Sequence, residues 1–230
     1  MILSVQGSGH ERKEGIMDKN QGYIQNLTME QVPWHRLSTA YGRSTRFPEY
    51  FKILQSTEDA EAARKALGEI TSNIEHQGTL WYATPFALIF LVRLLEKAAS
   101  ELEQNKAARY IGEELLDFFQ VVVECVQFME EEADMADVEE EPFPLFSDLL
   151  DEQYLWSEEY DEDDELEEQE DSEDIFYSVY YYSFQALLSV RPLLEGLKGT
   201  VLEKRAAALE EGLEEMRNRL FFCRTGRKER

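Results

Sequence analysis

The residues best suited to proton chemistry are His76, Gln77 and Thr79, which with Gly78 form the run His76-Gln77-Gly78-Thr79 just ahead of Tyr82. An imidazole beside an amide and a hydroxyl could move a proton near neutral pH. The same side chains also satisfy backbone groups in a connection packed between helices, and that structural use is the favoured reading. His10, His35 and His76 are the chain's three histidines, and none stands at metal-ligand spacing from another or from Cys125 or Cys223. A zinc site has no support from such a pattern. The run Asp161-Glu162-Asp163-Asp164-Glu165 offers the hard oxygens that calcium prefers but lacks the glycine of an EF-hand turn. Carboxylates working as acid and base need a fixed separation and a cleft, which a charge run does not supply. No Ser-His-Asp order, glycine-rich phosphate loop or dinucleotide fingerprint is present. The sequence thus predicts no catalytic residue, no metal and no cofactor.

Charge is the stronger signal. Residues 130–174 hold 24 of the 48 acidic residues and no Lys, Arg or His, while the remaining 24 acids face 23 basic residues. A body near neutrality therefore carries one acidic insert, and nearly all of the net charge of −25 belongs to it. Direct nucleic-acid binding is disfavoured, because the insert repels phosphates. The insert also departs from a simple solvating tail, since Phe143, Phe146, Leu149, Leu150, Leu155 and Trp156 stand among its acids. Such a mixture predicts a short amphipathic helix, Pro144 to Trp156, docking on the protein's own groove or on another protein. Partner binding is assigned to Phe146, Trp156 and Tyr160 as anchors, with Glu158, Glu159, Asp161, Glu162, Asp163, Asp164 and Glu165 as the electrostatic part. The basic tail Arg224, Arg227, Lys228 and Arg230 could fold back on the acids, at about 0 to 1 kcal/mol per exposed pair.

Helices must position these residues, because apolar side chains recur at three and four positions from Trp34 to Phe222 with almost no strand signal. The expected fold is all-α, either an irregular bundle or a stack of antiparallel helix pairs. The expected helices are Trp34–Tyr41, stopping at Gly42; Pro48–Gln55; Glu58–Ile74; one capped by Thr84 and begun by Pro85; Lys106–Met129; Ile175–Val190; and Val201–Phe222. From Phe86 to Val92 the fourth is apolar on every face and should be enclosed. In the tyrosine-rich helix, Tyr177, Tyr180 and Tyr181 are expected nearer the surface.

One folded unit is expected over residues 31–222, interrupted by the insert 130–174, with a partly disordered leader (1–30) and the basic tail 223–230. Met17 opens a second plausible start, and residues 1–16 are assigned no role. The opening lacks signal-peptide order, and the most apolar run, Ala83 to Leu95, is interrupted by Arg93 and too short to span a bilayer. With Cys125 on the apolar side of a helix pattern, a reducing cytoplasm is the expected location, away from membranes.

The residues Trp34, Leu37, Ala40, Tyr41 and Gly42, followed by Ile74, His76, Gln77, Gly78, Thr79, Tyr82, Ala83 and Thr84, carry a resemblance. Their order and spacing from Trp34 to Leu95, about a quarter of the chain, resemble those of a family of bacterial HEAT-like repeat proteins. That resemblance implies α-solenoid packing of helix pairs, with Trp34, Tyr41, Gly42, His76, Gln77, Gly78, Thr79, Tyr82 and Thr84 as a structural motif. It implies scaffolding rather than chemistry, some family members being plausible neighbours or inhibitors of toxins. The function expected is non-enzymatic capture of another, basic protein through the acidic segment, inhibitor- or immunity-like. Its sharpest version is a nuclease-like partner blocked by charge resembling phosphates. The alternatives are an enzyme or small-molecule binder using an inter-helix pocket near His76, Gln77 and Tyr82, and a scaffold whose insert serves only solubility.

Overall fold

The computed structural model describes residues 19–56, 59–135, 142–159 and 173–226, and over these the protein is all-α apart from two short hairpins. Residues 19–26 form helix α1; then follow α2 (Phe47–Ser56), α3 (Ala60–Ile74), α4 (Thr84–Glu101), α5 (Lys106–Met135), α6 (Glu173–Leu188), α7 (Arg191–Gly196) and α8 (Glu203–Gly226). Asp59 caps α3 by accepting from the amides of Glu61 and Ala62. Pro85 and Pro192 sit in the first turns of α4 and α7, where no amide is lost.

Helix α4 is the centre. Every residue from Thr84 to Val92 is buried, because a helix apolar on all faces must be enclosed. α2, α4 and α6 are neighbours in one row, and α3, α5 and α8 in a second; α2 packs on α3, and α4 on α5. α5 and α8 run parallel: Arg205 of α8 meets Asp117 and Arg219 meets Glu131, the same offset at both places. On α5, Ile111, Leu115, Phe119, Val122, Val126 and Met129 are buried at the expected spacings.

Three expectations are corrected. The stretch Trp34–Tyr41 is not an α-helix: a 3-10 turn, Trp34–Arg36, leads into β1 (Ser38–Thr39), which pairs with β2 (Gly42–Arg43). The reason is that its backbone groups bond elsewhere, the Ala40 amide donating to Asn73 and Ser38 accepting from the Ala83 amide. The turn expected at His76 is present and closes a second hairpin, β3 (Glu75–His76) with β4 (Thr79–Leu80), in which Gln77 and Gly78 both take positive φ as a primed turn requires. Residues 19–30, expected in the leader, join the body: Ile24 and Leu27 are buried and their carbonyls accept from the Arg93 guanidinium at 2.8 and 2.7 Å. Tyr177 and Tyr180 are buried rather than surface-facing, Tyr180 accepting from the Leu80 amide at 3.1 Å and Tyr177 donating to Glu130 at 2.9 Å.

Cys125 is buried on α5, and burial pushes its thiol up to about 12. Since the thiolate is the reactive form, native protein carrying Cys223→Ser should resist alkylation at about pH 8 and react fully in denaturant, as mass spectrometry would read.

Candidate functional site

The acidic insert enters the fold as a strap. Residues 142–159 cross the body in two 3-10 turns, Phe146–Leu150 and Glu152–Tyr154, in place of the amphipathic helix expected from Pro144 to Trp156. The backbone of this stretch finds its partners across the fold rather than along a helix. The Phe143 amide donates to Ser178 Oγ at 3.0 Å, and the Phe143 carbonyl accepts from the Tyr182 hydroxyl at 2.5 Å. Asn20 of α1 reads the strap twice, donating to the Pro144 carbonyl at 3.2 Å and accepting from the Phe146 amide at 2.9 Å. The buried Tyr82 hydroxyl donates to the Leu149 carbonyl.

Phe146 is assigned by the sequence to partner binding, with docking of its segment on the protein's own groove as the other expectation, and the structure shows the second. It is wholly buried, stacked on Tyr182 with centroids 4.8 Å apart and flanked by Phe86 and Tyr23 at 5.3 Å each. Burial of these rings pushes the Tyr23 phenol up to about 12 and raises Tyr182 as well. An aromatic residue among acids is thus a plug for the body, because α4 and α6 leave an apolar gap that it fills.

The second half of the strap is held by charge. Arg36, its side chain 7% exposed, meets Glu152 with both terminal nitrogens, at 2.6 and 3.0 Å. Its Nε donates to the Trp156 carbonyl at 2.5 Å, while the Trp156 amide donates back to the Arg36 carbonyl at 3.0 Å. A buried guanidinium needs this full set of acceptors, since a charge removed from water is costly unless paired. The Glu152 hydrogen bond raises Arg36, and the same bond holds the Glu152 carboxyl below the ordinary range. Glu158 reaches His35 at 3.1 Å and Arg36 at 3.4 Å. Arg43 donates to the Ser157 carbonyl at 2.9 Å and lies 5.1 Å from the centroid of the half-buried Trp156 ring. Trp156 and Glu158 are therefore committed to the body, and Glu159 is exposed beside them. Tyr160 and Asp161, Glu162, Asp163, Asp164 and Glu165 lie outside the described residues.

The motif shared by the two hairpins forms one joint. Trp34 is buried with Nε1 donating to the Met29 carbonyl at 3.0 Å. Thr84 Oγ1 donates to the Ile74 carbonyl at 2.5 Å. Gly42 holds φ 111°, and the Gly78 amide donates to Glu75 at 2.9 Å. Tyr41 is exposed, its hydroxyl 3.2 Å from His76 Nδ1 across the two tips, and Gln77 is exposed next to them, whereas Tyr82 lies buried. Thr79 is half-buried in β4. His76 and Tyr82 thus face different surroundings.

Sequence reasoning missed Arg36, His35, Arg43 and Asn20. Their partners lie more than 100 positions away, and no local spacing announces them. No family model, curated protein or solved structure matches this chain. No helix among the described residues is long and apolar enough to cross a membrane.

Two substitutions test the strap. Phe146→Ala should cost about 3–5 kcal/mol in urea unfolding, the range for emptying a buried aromatic site. Glu152→Gln tests the charge clasp. Because its folded-state pKa is depressed, Glu152 contributes stability above the ordinary carboxylate value, about 4.3, and loses it as pH falls through the folded value. The variant should be less stable at neutral pH and should lose less on acidification than the parent.

Proposed function

We propose that this chain is a non-enzymatic, HEAT-like helical-repeat protein that captures a basic partner protein, its acidic run acting as the electrostatic arm. One observation carries the reading. Residues 142–159 are fixed to the body by a buried aromatic plug and a charge clasp, so the run that follows departs from a fixed point and returns at α6. Residues 160–172 contain nine acids and no basic residue. A charge run tethered at both ends steers encounter toward one place on the surface and selects against acidic partners.

The helix rows α2, α4, α6 and α3, α5, α8 support the repeat-like part of this reading, being the packing that stacked helix pairs produce. Since Phe146 and Trp156 serve the body, apolar affinity must come from the helical faces, and the acids supply rate and selectivity. Within basic partners, a nucleic-acid-binding or nuclease-like protein suits a surface that presents charge as phosphates do. A reducing cytoplasm accords with the buried free thiol of Cys125. The rival enzyme reading has less support, because Tyr82 is buried with its hydroxyl on Leu149, whereas Gln77 is exposed.

Replacing residues 160–172 by a neutral Gly/Ser linker of equal length leaves the strap intact and removes the arm. A basic protein retained from cell extract at low salt by the parent, released steeply as salt rises and lost by the linker variant, is the expected result. Equal retention by both forms would reduce the run to a solubility device.

A further inference from the structure

Past the exposed Lys106 and Arg109 at the start of α5, the exposed Glu114, Asp117, Val121, Glu124, Phe128 and Glu131 recur at three and four, with Glu132 exposed beside the last. They make one crest, about 25 Å long at 1.5 Å per residue. Phe128 is 61% exposed and Val121 37%, two turns apart on that crest. Large apolar side chains left in water at helical spacing are what a partner helix would cover.

Beside the crest runs α8. Between Arg205, 2.8 Å from Asp117, and Arg219, 2.6 Å from Glu131, it presents Ala208 and Gly212. A Cβ on Gly212 would lie 3.3 Å from Gln120 Oε1 and 3.4 Å from Val123 Cγ1, so glycine lets the two helices close up with the Gln120 side chain between them. The two ion pairs bound this strip about 21 Å apart, roughly four helical turns.

We infer that the α5 crest and the adjoining face of α8 form a docking strip for a basic amphipathic helix of a partner protein, with Phe128 and Val121 as apolar anchors. The inference rests on the proposed capture of a basic protein and adds where that protein sits. Charge chooses the occupant. From Tyr110 to Met135 α5 has no Lys or Arg, and the two arginines that α8 extends toward it are already on Asp117 and Glu131. A second copy of the chain would set carboxylates against carboxylates, and a nucleic acid would be repelled in the same way. A helix with apolar residues seven apart and Lys or Arg flanking them would cover Val121 and Phe128 while meeting Glu114 and Glu124.

The probe is a synthetic helical peptide of about 18 residues with Leu at that spacing and Lys flanking it, beside a scrambled peptide of equal composition. It is titrated at low salt against the parent, Phe128→Glu, Val121→Glu, and a form with the acids of residues 160–172 made amides. Both crest variants add a carboxylate on exposed surface, so a purely electrostatic contact would tighten, whereas a docked helix loses its anchor. The expected result is about tenfold weaker binding of the patterned peptide in each crest variant, with little binding of the scrambled one. Unchanged or tighter binding in the crest variants, with loss only in the amide form, would overturn the strip and leave capture by the acidic run standing. No binding to the parent at all would overturn both.

Discussion

From Phe86 to Val92 helix α4 has no polar side chain to offer water, and each of its faces must be covered by something else. Most of the architecture follows from that constraint. α2 and α6 flank it in its own row, and α3 and α5 cover it from the second. The N-terminal segment closes one end through Arg93, which ties residues 24–27 onto α4. The remaining gap, beside Phe86 and Tyr182, is filled by Phe146, which arrives from the acidic insert. Enclosing one apolar helix thus recruits an otherwise charged segment into the core.

That recruitment separates two kinds of interaction in the insert. Its aromatic residues are held by dispersion and apolar burial, which salt and pH scarcely alter. Its carboxylates are held by Arg36 and His35, of which only Arg36 is buried enough for its pairing to matter strongly, while Arg43 holds the Ser157 carbonyl. Glu152 itself is largely exposed, so the pair costs little in desolvation on the carboxylate side while it neutralises a guanidinium that the fold has buried. The clasp fixes the direction of the strap, and the plug fixes its depth.

Much of the helical frame was legible in the sequence. Pro48, Asp59, Pro85 and Pro192 mark helix starts, the spacing on α5 gives its buried face, and the uniform apolarity of α4 announces enclosure. What was not legible shares one cause, which is partnership across long separations. Trp34–Tyr41 has a helical pattern, yet the amides of residues 40 and 83 and the carbonyls of residues 73 and 38 join the two hairpins. Tyr177 and Tyr180 carry polar tips that suggest surface, but Glu130 and the Leu80 amide satisfy those tips inside. Arg36 is one cation among several until Glu152 is placed beside it. At the candidate site the aromatic residues that the sequence set apart among the acids, Phe146 and Trp156, serve attachment to the body.

The measurement closest to the central claim is native-state hydrogen exchange across residues 142–159. The Phe146 amide bonds Asn20 and the Trp156 amide bonds Arg36, one at each end of the strap. Both amides should exchange slowly, with protection approaching that of α4, and Phe146→Ala should lower protection at both positions together. Exchange at the rate of an open chain at either amide would contradict that claim, because the acidic run would then leave the body from no fixed point.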